Sequence, residues 1–281
     1  MTAPRWRAAI EEAAHHPLPR TRIGDRPVVV KHVSYREVAV HRLVHRTMPD
    51  VVPPVLAAWP ADNHDSWVMV LPDLTPTTQP PAGELLRAGL ERLALVHSAF
   101  AAVADLDGLD LGGPPGAAAF ADRLARRDAE WTLSLGPGRL RSWERLESTL
   151  PKWRDALAAD RTLVHGDLHA GNVLPAADGG VWLIDWSAAC LLSPAWDLST
   201  CDKGLVGAYL AARAARGHPL DVPAFSRQLR AAAVVRLHRA VSELIEDRPR
   251  LEIPHELTVE AVRRCVDRAV RAHETPGFLG G

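Results

Sequence analysis

The stretch Leu163-Val-His-Gly-Asp-Leu-His-Ala-Gly-Asn-Val-Leu174, followed closely by Val181-Trp-Leu-Ile-Asp-Trp186, decides how the chain reads. Asp167 and Asn172 are separated by four residues. Asn172-Val-Leu174 reads as a short strand. Asp178-Gly179-Gly180 supplies a turn, and Val181 to Ile184 returns as a second strand. Such a hairpin fixes Asp185 relative to Asn172 and leaves both at its open end. One carboxylate and one amide oxygen there suit magnesium, which takes few protein ligands and fills its octahedron with waters and phosphate oxygens.

Outward from this stretch, the chain of 281 residues divides by composition. A short helix is expected over Pro4 to Ala14, with Trp6, Ala9, Ile10 and Ala13 at helical spacing. A strand at Thr21 to Ile23, a turn at Gly24-Asp25 and the β-branched run Val28 to Val30 read as a hairpin, ended by Lys31. Ser34 caps a helix over Tyr35 to Arg46, with Glu37 in its first turn. Val55 to Trp59 and Trp67 to Leu71 read as further strands. Pro72 to Pro81 holds four prolines and reads as a hinge. After it come a leucine-rich helix over Glu84 to Ala104, a Gly- and Pro-rich stretch at 105–116, and helices at 117–134 and 139–159. A compact β-rich segment spans 162–186, and a mostly helical remainder runs to 274. The expected organisation is an N-terminal β-rich lobe over 1–71, a hinge over 72–82 and a helical C-terminal lobe over 83–281.

Net charge is −1, so no basic excess supports nucleic-acid or membrane-surface binding. The three cysteines, Cys190, Cys201 and Cys265, form no CxxC pair, as in a reduced compartment. The first sixteen residues carry no apolar core of signal-peptide length, and Leu205 to Ala212 is far too short to span a bilayer. A cytoplasmic protein is expected. Of 33 basic residues only Lys31, Lys152 and Lys203 are lysine, which singles out Lys31 at its strand end.

HGDLHAGN followed by IDW resembles the aminoglycoside phosphotransferase and choline kinase family, small-molecule relatives of the protein kinases, whose catalytic loop shows the same Asp-to-Asn spacing. Ser193-Pro-Ala-Trp-Asp-Leu198, Leu93-Ala-Leu-Val-His97 and the Val28-Val-Val-Lys31 run with Glu37 extend the resemblance to about residues 20–200. It implies an α+β, protein-kinase-like two-lobed fold with a shortened β-rich N-terminal lobe. It also implies transfer of the ATP γ-phosphate, with GTP as the alternative donor, to a hydroxyl of a small molecule. An antibiotic such as an aminoglycoside or cationic peptide is the leading acceptor class. Asp167 would take or orient the acceptor proton, and Asn172 and Asp185 would hold Mg2+. Lys31, fixed by Glu37, would contact the α- and β-phosphates. Backbone groups near Leu71 to Asp73 would meet adenine, His165 would support the catalytic loop, and Asp197 would do structural work.

The family's Gly-rich turn over the phosphates is not evident, since Gly24 is the only glycine before Lys31. Three readings follow: the Gly24-Asp25 turn serves, the N-terminal helix replaces the first strand, or the chain is a ligand-binding relative without turnover. A separate reading takes His165, Asp167 and His169, alternate residues on a strand, as a zinc site of a hydrolase. Trp131, Trp143 and Trp153 read as packing, and His15-His16 as surface. Asp122, Asp128, Glu130, Glu243, Glu246 and Asp247 read as solvated helix faces.

Overall fold

A computed structural model describes residues 20–61, 66–74, 80–101, 135–176, 178–251 and 255–274. The expected N-terminal helix, the helix at 117–134, the stretch at 105–116 and most of the proline-rich linker lie outside the described residues. So do His15, His16, Asp122, Asp128, Glu130 and Trp131, and the side chains of Glu243, Glu246 and Asp247. Elements run in the order β1 (Arg20–Ile23), β2 (Arg26–Val33), α1 (Tyr35–Thr47), β3 (Ala57–Pro60), β4 (Trp67–Pro72), α2 (Ala82–Ala99), α3 (Pro137–Ala158), β5 (Thr162–Val164), β6 (Val173–Pro175), β7 (Val181–Leu183), β8 (Cys190–Leu192), α4 (Ala195–Leu198), α5 (Lys203–Ala214), α6 (Val222–Leu251) and α7 (His255–Glu274). Single 3-10 turns at Ala170–Asn172 and Trp186–Ala188 flank the β6–β7 hairpin. The architecture is α+β, as the sequence predicts.

The chain forms two compact units, Met1–Leu111 with His165–Cys190, and Gly112–Val164 with Leu191–Gly281. The first contains an antiparallel sheet in the order β1-β2-β4-β3. Strand alternation explains its two faces. Val28, Val30, Val68 and Val70 form one buried cluster, with Ile23 and Trp59 against it. On the other face Val33 and Met69 pack with Val38 of α1. Lys31 shares that face. It does not end its strand, because the pairing with β4 continues through Val33 opposite Trp67.

Helix α1 starts where the Ser34 hydroxyl accepts a hydrogen bond from the Glu37 N–H at 3.2 Å. Helix α2 begins and ends earlier than its leucine pattern suggests. Its Gly89 leaves room for the hairpin, since a Cβ there would stand 2.7 Å from a methyl carbon of Val173. Strand β3 lies two residues later than expected, because Val51 to Pro53 are already buried beneath α1, where His41 Nε2 bonds the Pro53 carbonyl at 2.7 Å.

In the second unit α3, α6 and α7 pack on one another. Trp143 stacks on His238 at 4.8 Å and Trp153 meets the edge of His273 at 5.9 Å, so both tryptophans serve packing. Asp197 is buried in this unit with Arg236, whose guanidinium lies 4.4 Å over Trp196 and donates to the Trp196 carbonyl. No helix among the described residues is long and apolar enough to cross a membrane.

Candidate active site

Lys31, Glu37, His165, Asp167, Asn172 and Asp185 all belong to the first unit, whereas Asp197 belongs to the second. Position 31 of β2 faces α1, and Glu37 lies in the first turn of that helix. The two meet at 2.7 Å, with the Glu37 side chain only 3% exposed. A carboxylate so desolvated requires a partner. Lys31 also reaches Asp185, with Nζ 2.9 Å from Oδ1. Burial pushes the Lys31 ammonium down, but Glu37 and Asp185 outweigh it and hold it above its ordinary value. Burial likewise acts to raise the Asp185 carboxyl. Lys31 and the Ser187 hydroxyl outweigh it and hold that carboxyl below the usual range. Burial holds the Glu37 carboxyl above its ordinary value although Lys31 opposes the shift, so the triad sets one basic group between two acidic ones.

Asp185 adopts a left-handed backbone (φ 62°, ψ 69°), unusual for a residue with a side chain and characteristic of functional turns. The hairpin delivers it to Asn172, for the Ile184 N–H donates to the Asn172 carbonyl at 3.0 Å. Asn172 closes a 3-10 turn rather than opening the strand. Its side-chain amide nitrogen donates to the Asp167 carbonyl at 2.9 Å, so the amide oxygen is the atom of that side chain that could hold a cation. An amide oxygen and a carboxylate are hard oxygen donors and fit magnesium.

His165 is fully buried. The Asp167 N–H donates to its Nδ1 at 3.4 Å, so Nε2 carries the proton and donates to the Ile184 carbonyl at 2.8 Å. The loop that carries Asp167 is thereby tied to the residue preceding Asp185. With both ring nitrogens engaged, His165 cannot ligate a metal. Among the described residues no group of three or more His, Cys, Asp and Glu side chains could hold one. The zinc-hydrolase reading is therefore discarded.

Gly166 permits the loop's path. Its φ is +89°, and a Cβ there would stand 2.0 Å from the Ala188 carbonyl oxygen. The Asp167 side chain is 62% exposed, with His169 Nε2 at 3.8 Å. Its carboxylate is open to solvent.

The hinge is more specific than the sequence suggests. The Asp73 N–H donates to the Pro27 carbonyl at 3.0 Å, and the Leu56 N–H donates to the Val70 carbonyl at 2.9 Å. Residues 69, 71 and 73 thus direct their backbone groups at β2, and 70, 72 and 74 the opposite way. The groups left beyond the end of β3 are the Pro72 carbonyl and the Leu74 N–H, not the N–H groups of Leu71 and Asp73. Sequence reading misses them because this direction depends on cross-strand register.

The Gly24-Asp25 turn precedes Arg26, which lies five residues before Lys31 on β2, about 17 Å at ~3.3 Å per residue, at the end of the sheet next to the proline-rich linker. It cannot cradle a phosphate that Lys31 contacts. The residues preceding Arg20, including the N-terminal helix offered as an alternative, lie outside the described residues.

The family model described as the phosphotransferase enzyme family matches residues 24–232. No curated protein matches the chain. Among solved structures, a choline/ethanolamine kinase family protein from Mesorhizobium loti superposes with a TM-score of 0.63 at 16% identity, covering 97% of this chain and 95% of its own. A microcompartment-associated aminopropanol kinase gives 0.63 at 13% identity, covering 90% and 87%. An AMP-bound spectinomycin phosphotransferase gives 0.60 at 16% identity, covering 94% and 97%. At these identities the likeness concerns the fold, which is kinase-like.

Proposed function

The chain belongs to the phosphotransferase enzyme family, and we propose that it transfers the γ-phosphate of ATP to a hydroxyl group of a small molecule. The observation that carries this reading is the Lys31–Glu37–Asp185 triad in the same unit as the open carboxylate of Asp167. A structural ion pair would not need a third charge on a left-handed turn, nor an adjacent loop whose acid meets no lysine or arginine among the described residues.

In this mechanism the adenine edge meets the Pro72 carbonyl and the Leu74 N–H. Lys31, kept in place by Glu37, contacts the phosphates. Asn172 and Asp185 would hold a magnesium ion, which offsets charge on the phosphate oxygens when bound. Asp167 orients the acceptor hydroxyl and takes its proton as the oxygen forms its bond to the γ-phosphorus and ADP departs. His165 touches no reactant in this account; it fixes the loop that carries Asp167. GTP is the alternative donor, since one carbonyl and one N–H at a hinge do not by themselves exclude guanine.

For the acceptor we propose an amine-bearing alcohol, with an antibiotic such as an aminoglycoside or cationic peptide as the leading class. The names of the structural neighbours support this, since choline, ethanolamine and aminopropanol are amino alcohols and spectinomycin is an antibiotic. Use of ATP makes the cytoplasm the compartment of action. The test is a panel of such acceptors incubated with ATP and magnesium, read by mass spectrometry for the gain of one phosphoryl group. On the accepted compound Asp167→Asn should lower kcat by about 10²–10⁴-fold with little change in KM for ATP. An Asp167→Asn variant as active as the parent would overturn the assignment of the base.

A further inference from the structure

Asp185 is held by a second donor that the mechanism above leaves unused. Its Oδ1 accepts from Lys31 Nζ at 2.9 Å and also from Ser187 Oγ at 2.8 Å. The two donors differ in what else they do. Lys31 is shared with Glu37 and, in the mechanism above, turns toward the phosphates of a bound nucleotide. Ser187 lies two residues beyond Asp185 on the same 3-10 turn and has no such second duty.

That turn is itself fixed. Trp186, at its start, is fully buried, with its indole N–H on the Leu183 carbonyl at 3.3 Å. The Ala189 N–H returns to the Trp186 carbonyl at 3.1 Å. Arg36, next to Glu37 on α1, donates to the Ala189 carbonyl. The Ala188 carbonyl stands where a Cβ of residue 166 would be. A hydroxyl on so rigid a turn sets the carboxylate's orientation without the ammonium. Both side-chain donors occupy Oδ1, with the Ser187 N–H adding to the hold on the carboxylate, so Oδ2 is the oxygen that no side chain engages and that is left to face a cation.

We propose that Ser187 is a positioning residue that pins Asp185 Oδ1 and so presents Oδ2 to the divalent cation while Lys31 serves the phosphates. This rests on the reading of Asp185 as a cation ligand. Groups that orient a metal ligand commonly account for about 10–100-fold in metal affinity.

The probe is Mn2+ with ADP on the full chain, the free ion being followed by its electron paramagnetic resonance signal. Ser187→Ala should weaken Mn2+ binding to the ADP complex by about tenfold or more. Ser187→Thr, which keeps the hydroxyl, should stay near the parent. ADP binding in the presence of a chelator should be alike in all three, since the nucleotide contacts do not involve Ser187. Equal Mn2+ affinity in Ser187→Ala and the parent would overturn the proposal, as would a Thr variant as weak as the Ala variant with an unchanged melting temperature. A parent that binds neither ADP nor Mn2+ would remove the nucleotide-site reading itself, an outcome told apart by the silence of the unmodified chain.

Discussion

Lys31 and Asp185, 154 positions apart in the chain, are joined by an ion pair of 2.9 Å. The contact ties the central sheet to the turn after the β6–β7 hairpin, and Glu37 completes it from α1. Lys31 is the group that both acids share, and Glu37 is buried, so removing the lysine strands a desolvated carboxylate. Its loss is therefore expected to register in both stability and chemistry.

Lys31→Met leaves Glu37 buried without a partner and should destabilise the protein by about 3 kcal/mol in urea unfolding. Lys31→Met combined with Glu37→Leu removes both charges and should recover most of that loss, while phosphotransfer stays abolished. If the double variant unfolds as readily as the single one, Glu37 is not the group that Lys31 compensates.

Gly166→Ala places a methyl group 2.0 Å from the Ala188 carbonyl at a φ of +89°. Neither strain can relax without moving backbone, so the variant should lose about 3 kcal/mol or more, or fail to fold. A melting temperature equal to the parent's would mean that the loop and the turn after Asp185 do not pack this closely.

His41 is fully buried on α1, one turn beyond Glu37, and burial pushes its imidazole down to about 4 despite the bond to the Pro53 carbonyl. Its value in the unfolded chain is near 6.5. The unfolded state therefore takes up the proton first as pH falls. Stability is unaffected by this group above about 6.5 and declines between 6.5 and 4, by on the order of 3 kcal/mol in all. His41→Gln retains a donor for Pro53 but does not titrate. Its unfolding free energy should fall less steeply than the parent's over that window, and parallel profiles would contradict the assignment.

Leu74→Pro deletes the hinge N–H while keeping Asp73 extended. ATP affinity should drop by about fivefold, the worth of one hydrogen bond, whereas binding of inorganic tripolyphosphate should not change. Equal losses for both ligands would show that the substitution disturbs the sheet rather than adenine recognition.

The hairpin and the start of α1 were legible in the sequence because each is written in local signals, whereas the Lys31–Glu37 pairing and the meaning of the Asp167–Asn172 spacing were legible through the family resemblance. Glycines mark the turn, β-branched runs mark the strands, and Ser34 before Glu37 marks the start of α1. The hinge groups were not legible, since strand alternation decides their direction only once β2, β3 and β4 are in register. Ser187 carries no local signature either; after Ile184-Asp-Trp186 it reads as an ordinary polar residue until the left-handed turn at Asp185 brings its hydroxyl back. Gly24 was misleading for a related reason. A glycine before the Lys31 strand suggests a phosphate cradle, but strand length puts it at the wrong end of the sheet.

Every role proposed above depends on the chain binding a nucleoside triphosphate with a divalent cation through Lys31, Asn172 and Asp185. Calorimetric titration of the full chain with Mg–ATP tests it most directly. Saturable binding is expected, abolished by Asp185→Ala and sharply weakened by Lys31→Met. No detectable binding at millimolar Mg–ATP, with or without an amino-alcohol acceptor, would contradict it.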